Sequence, residues 1–347
     1  MNAPNPTAPA GKTPDAAPGS PAAAASTAVA PATGRTLHES VSGKKADGVF
    51  RGIVYACGIL ILVVLAAVAV FLLVQAWPLI GGDQHAVSES IADFTGGKAT
   101  NFWQYVGPLL FGTVLVAALA LLLAFFVAIG IALFITHYAP KKLATVLSGV
   151  VDLLAAIPSV IYGLWGGLVL VPAIYPFWNW VAKYLGWIPL FAGPAANPPR
   201  TVATVALVLA IMILPIITSM ARDIFQQTPK LLQEAALGLG ATKWEMIKLA
   251  VLPFGRSGVI SASMLGLGRA LGETMAVLMI LSPGLKYSFK LLQASQDQTI
   301  AANIAAQYPE ADALGVSVLI GTGLVLFVIT FLVNLAARRI TAKASVK

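Results

Sequence analysis

The chain has 347 residues, of which 58% are hydrophobic and 10% charged, with a formal net charge of +8. Soluble domains carry about 25% charged residues, so this composition and a mean hydropathy of +0.84 exclude an ordinary soluble domain and indicate an integral membrane protein. The basic excess fits the cytoplasm-facing segments of a membrane protein better than a nucleic-acid surface. Cys57 is the only cysteine, which excludes an intramolecular disulfide and a thiol metal site, and His38, His85 and His137 are too scattered for a ligand cluster.

Residues 1–48 are rich in Ala, Pro, Ser and Thr and have no apolar period, which predicts a disordered tail ahead of a transmembrane domain over 49–347. The tail is not a signal peptide, because no apolar core follows a short basic start. Gly11-Lys12-Thr13 resembles the end of a phosphate-binding loop, but the first glycine of that motif would fall at Pro6 and no strand precedes it. The chain is therefore not expected to bind ATP itself, and no cofactor is expected on it.

Six apolar spans follow, at about 52–77, 106–136, 148–171, 201–221, 257–281 and 313–337. Each is long enough to cross ~30 Å of hydrocarbon at ~1.5 Å per residue. The predicted fold class is all-α, a polytopic membrane bundle of six transmembrane helices. Pro158 and Pro215 are expected to kink their spans, and Asp152 to be an interfacial or capping residue. Residues 172–189, with several prolines, Lys183 and Trp178, Trp180 and Trp187, read as an interfacial loop. With both termini inside, 16 of the 22 Lys and Arg fall on inside segments and five on outside loops, with Arg269 left within the membrane. That asymmetry puts both termini in the cytoplasm. The outer segment 282–312 carries Asp297, Glu310 and Asp312 and is expected to be a docking surface or a solvated loop.

The inside loop 228–253, TPKLLQEAALGLGATKWEMIKLAVLP, reads as two short helices. Thr228-Pro229 is a start signal, Gly238 and Gly240 end the first helix, and Thr242 with Glu245 forms a capping box for the second. Their apolar faces have nothing evident to cover them, which suggests a partner surface.

The fifth span holds GLGRALGETMAV, residues 266–277. A charge at a helix centre costs on the order of 2.5–3.5 kcal/mol on insertion scales. Arg269 and Glu273 stand four apart, a spacing at which one helix face carries both and they reach each other. Gly268 and Gly272 have the spacing of a close helix approach. The pair is either an ion pair stapling two helices or part of a passage. Arginine suits bidentate contact with an oxyanion. A glutamate beside it suits an anion that carries its own proton: phosphate can donate a P–OH, sulfate cannot. Glu273 is expected to orient Arg269 and reject fully deprotonated oxyanions.

Three segments carry a family resemblance: EAALGLGATKWEMIKLAVLP, LGLGRALGETMAV, and LLAAIPSVIYGLWG at 153–166. Together they resemble the phosphate importer permeases of the ATP-binding-cassette class, PstC type, over roughly residues 50–340. Ala250 departs from the family's usual isoleucine. The resemblance implies the type I importer permease fold and a coupling loop in which Glu234, Ala235, Ala236 and Gly240 contact an ATPase. It implies Arg269 and Glu273 in the substrate path, and an inner-membrane assembly. Its other members would be a PstA-like permease, two PstB-like ATPases holding ATP and magnesium, and a periplasmic PstS-like phosphate-binding protein; no nucleic acid is expected. Sulfate or molybdate permeases share the loop. A self-sufficient ion-coupled carrier would need no ATPase, and no internal repeat supports one.

Overall fold

The computed structural model describes residues 41–345. Residues 1–40 of the expected tail lie outside the described residues. Residues 41–48, assigned to that tail, instead begin the first helix, α1 (Val41–Gln75). Lys44, Lys45 and Ala46 are good helix formers, and extending an existing helix backwards costs far less than nucleating one. Packing divides the described chain into two units, with the boundary between Leu60 and Ile61. The described part of the first unit is the first portion of α1, with the apolar side chains from Val49 onward exposed.

The second unit is helical. Among the described residues there is no named strand, only an isolated bridge between Thr201 and Ala294. After α1 come two short helices that the sequence reading omitted, α2 (Pro78–Gly81) and α3 (Gln84–Thr95), the latter capped by the Asp83 side chain. The long α4 (Phe102–Leu133) continues through a π turn to Tyr138, and α5 (Lys141–Ala155) follows. Among the described residues, six segments are long and apolar enough to cross a membrane: Asp47–Gln75, Phe102–Tyr138, Ser159–Leu185, Val202–Gln226, Lys243–Leu271 and Ala313–Thr341.

The third of these corrects the expected one. The chain breaks at 156–158, where Pro158 caps α6 (Ser159–Trp165). α6 then runs through a π turn into α7 (Val171–Leu185). The region expected to be an interfacial loop is thus the second half of the span. Pro172 falls at the start of α7, just after the π turn, where a missing N–H and a fixed φ are tolerated, so the proline cluster does not end the helix.

α8 (Val202–Gln226) contains Pro215 and is the central element, with 72% of its apolar window buried. It packs chiefly on α4. The contact is a seam of Ala117, Ala120, Ala124 and Ala128 facing Val205, Leu209, Ile213 and Ile217, continued by Ala132 beside Ala221 and Phe225, with all five alanines inaccessible. Spacings of three and four put the alanines on one stripe, and small residues let two backbones approach where lipid supplies no hydrophobic drive.

Beyond α8 come α9 (Lys230–Gly238) and α10 (Lys243–Met246), the latter continuing through a π turn into α11 (Leu252–Leu271). Then follow α12 (Met275–Ile280), α13 (Ile300–Gln307) and α14 (Ala313–Ser345). α11 meets α8 through Gly255, Gly258 and Gly266; a Cβ at Gly266 would stand 2.8 Å from Ile217. The predicted seam at Gly268 and Gly272 is not the packing face. A Cβ on Gly268 meets nothing within 4 Å.

Candidate functional site

The residues expected to share a face do not. α11 ends at Leu271, Gly272 caps it, and a new helix begins only at Met275. The cause is local. Glycine loses more entropy in a helix than other residues, and Gly272 takes the C-cap position of α11. Its N–H reaches back to the Gly268 carbonyl at 3.3 Å. Glu273 then turns inward. It is 7% exposed, and its Oε1 accepts a hydrogen bond from the Ala276 N–H at 3.1 Å, capping α12. Arg269 stays on α11 and is exposed. No ion pair joins Arg269 and Glu273 among the described residues, so the expectation that Glu273 orients the arginine is corrected: that carboxylate is committed to a helix start.

The result is a broken span with a guanidinium on its open side. Gly268 and Arg269 are both exposed. Tyr162 donates to the Leu154 carbonyl at 3.0 Å, bridging the break before α6. α6 and α12 pack directly on each other. Gly163 makes this possible, since a Cβ there would stand 2.8 Å from the Ala276 Cα. The structure therefore brings together the 153–166 and 266–277 segments, which sequence alone could not show to be neighbours. Gly163→Ala is expected to lower stability by about 1–3 kcal/mol, the usual cost of overpacking. Gly149→Ala, also inside a helix but with nothing within 4 Å, is the control and is expected to be unchanged or slightly more stable in thermal unfolding of the purified protein.

At the other end, the 228–253 loop has two helices as expected. Gly240 turns the chain at φ +87°, which favours glycine. The Thr242–Glu245 capping box is present, with the Glu245 carboxylate accepting from the Thr242 N–H at 2.8 Å. Thr228 does not cap α9. Pro229 takes that place, and the Thr228 hydroxyl is buried without a partner. Glu234, Ala235 and Gly240 are exposed and Ala236 is half-buried. Beside them Leu231 and Leu239 are 76% and 90% exposed, an apolar edge that nothing covers among the described residues.

Two sites escaped the sequence reading. Arg222, counted only as a loop charge, is 8% exposed and pairs with Asp152 at 3.2 Å and Asp223 at 2.9 Å. Asp152 is thus neither a cap nor a simple interfacial group. The Ser219 hydroxyl, and after it the Arg222 guanidinium, hold its carboxyl below the usual range against the effect of burial. Asp297 is 1% exposed, which corrects the solvated reading at that residue, whereas Glu310 and Asp312 of the same segment are exposed. Residues 282–299 fold back onto the start of α8, where the Ala203 N–H donates to Leu291 and the Ser282 N–H to Arg200.

A family model described as binding-protein-dependent transport system inner membrane component matches residues 128–345. Phosphate transport system permease protein PstC 2 of Mycobacterium tuberculosis is 44% identical over 301 residues, 86% of this chain and 92% of that protein. PstC of Mycobacterium leprae is 46% identical over 279 residues, 79% of this chain and 86% of its own. Among solved structures, an inward-facing MetNI methionine ABC transporter chain is 16% identical with a TM-score of 0.51, covering 70% of this chain and 96% of that one. At that identity the likeness speaks to the fold, a helical importer-permease bundle.

Proposed function

This chain belongs to the inner membrane components of binding-protein-dependent transport systems, and on that basis we propose that it is the phosphate permease subunit of an ATP-driven importer. Relatives at 44% and 46% identity over most of the chain are phosphate transport permeases. The observation that carries the mechanism is Arg269, a guanidinium on the open side of a broken membrane span. Discontinuous helices are where transporters build substrate sites, because unwound backbone and helix ends line the cavity. Arg269 offers a planar fork of donors that suits two phosphate oxygens. Glu273, next along the break, has one oxygen on the Ala276 N–H. Its other oxygen is the acceptor proposed to select an anion that still carries a proton.

The open side is completed by a second, PstA-like permease, so that two chains enclose the path. The exposed edge at Glu234, Ala235, Ala236 and Gly240 docks into one of two PstB-like ATPases, which bind ATP and magnesium and drive alternating access. A PstS-like periplasmic protein delivers phosphate. The charge asymmetry supports an inner-membrane chain with both termini cytoplasmic.

The test is radiolabelled phosphate uptake, with sulfate alongside, in a strain lacking this gene. Restoring the chain is expected to restore phosphate uptake and leave sulfate uptake unchanged. Recovery of sulfate instead would overturn the substrate; uptake by the chain without any ATPase would overturn the importer.

A further inference from the structure

Arg222 sits one turn before the end of α8, and α9 begins four residues after that end. Its guanidinium is used on every side. Nε and Nη2 reach Asp223 Oδ1 at 3.0 and 2.9 Å, and Nη1 reaches Asp152 Oδ2 at 3.2 Å. Nη1 also donates to the Ser148 carbonyl at 3.5 Å, and Nη2 to Ser219 Oγ at 3.3 Å. Ser219 in turn donates to Asp152 Oδ1 at 2.8 Å. So α8 grips Asp152 of α5 twice, from Ser219 and from Arg222, beside an open polar cavity of about 330 Å³.

α5 packs along α8 but buries little of itself. Val151 is its only buried residue. Yet α5 leads through residues 156–158 into α6, and α6 is the seat of α12, the helix capped by Glu273. Asp152 and Asp223 are half-exposed, and pairs reaching solvent contribute little to stability. Three contacts from α8 to a helix that buries so little of itself have a different use: they make two helices move as one.

We propose that Arg222 is a positioning residue that locks α5 to the end of α8, so that displacement of α9 is passed to the α6–α12 seat beside Arg269. This rests on the permease reading above, in which α9 docks on the ATPase.

The whole transporter complex is reconstituted in vesicles, and phosphate moved per ATP hydrolysed is measured. Arg222→Gln is expected to lower that ratio by about tenfold, within the span of site-to-site couplings, while ATP hydrolysis stays close to wild type. Arg222→Lys recovers part of it. Asp152→Asn is expected to match Arg222→Gln, and the double variant to be no worse than either. An unchanged ratio, or effects that multiply in the double variant, would overturn the proposal.

A second readout does not depend on the substrate. Spin labels are placed at the exposed Val146 and Gln227 in a Cys57→Ser background, and their separation is measured with and without ATP. The wild-type separation is expected to hold, and that of Arg222→Gln to shift or broaden. A separation that moves equally in both removes the lock. If the wild-type complex moves no phosphate, the substrate reading fails, while this distance still decides the coupling.

Discussion

Arg269→Ala is expected to lower phosphate uptake at least about 100-fold, roughly 3 kcal/mol at 1.4 kcal/mol per decade, without lowering the amount of protein in the membrane. The two halves of that result have separate causes. Arg269 is exposed and makes no ion pair among the described residues, so its removal leaves no buried charge orphaned and creates no cavity. What it removes is a charge-assisted, two-pronged contact with the anion, the strongest kind of hydrogen bond available to a side chain. Arg269→Lys keeps the charge but not the fork and should fall between the two. Uptake is measured in the deletion strain with permease levels checked by immunoblot. Full uptake by Arg269→Ala would remove the arginine from the path and leave the broken span without its substrate group.

Glu273→Gln is the companion variant. Glutamine keeps a carbonyl oxygen in place of Oε1, so the bond from the Ala276 N–H and the start of α12 survive. Only the charge is lost. Phosphate uptake should therefore persist in part while sulfate begins to compete. Glu273→Ala removes the cap as well, a loss of about 1 kcal/mol, and so confuses fold with selectivity.

Much of the bundle was legible from sequence, because a span needs only length and apolarity. The capping box at Thr242–Glu245 was legible too, since both partners lie within one turn. What failed depended on a choice between local and tertiary forces. A spacing of four between Arg269 and Glu273 predicts contact only if the helix continues, and Gly272 ends it. The prolines near 172–176 predict a break, but a π turn upstream lets the helix run on. Arg222 and Asp152 are 70 positions apart. Nothing in either neighbourhood announces the other, although an arginine in the last turn of an apolar span was a signal that deserved a partner.

Asp297 gives the clearest pH dependence. Its carboxylate is buried, with neither oxygen in a hydrogen bond of ordinary geometry. It lies against α4, where Gly112 leaves room for it, and next to a polar seam in which the Ile300 N–H donates to Thr113 at 3.0 Å and Asn303 donates to Gln298 at 3.1 Å. Burial pushes its pKa up from 3.8 to about 6, opposed only by the nearby Ser288 amide. The sign follows from linkage. A raised folded pKa means the folded chain holds the proton more tightly than the unfolded one, so this group's contribution is fully present below about 3.8 and is lost as pH rises through about 6. Above that, the ionised and unpartnered group destabilises the fold by about 2–3 kcal/mol, at 1.36 kcal/mol per unit. Asp297→Asn has the shape of the neutral acid and never ionises. It is expected to unfold at a higher temperature than wild type at pH 7.5 and at the same temperature near pH 4, in thermal scans of the purified protein. A gain of equal size at both pH values would assign the effect to packing, and a loss at pH 7.5 would mean the charged form has a partner that holds the 282–299 segment in place.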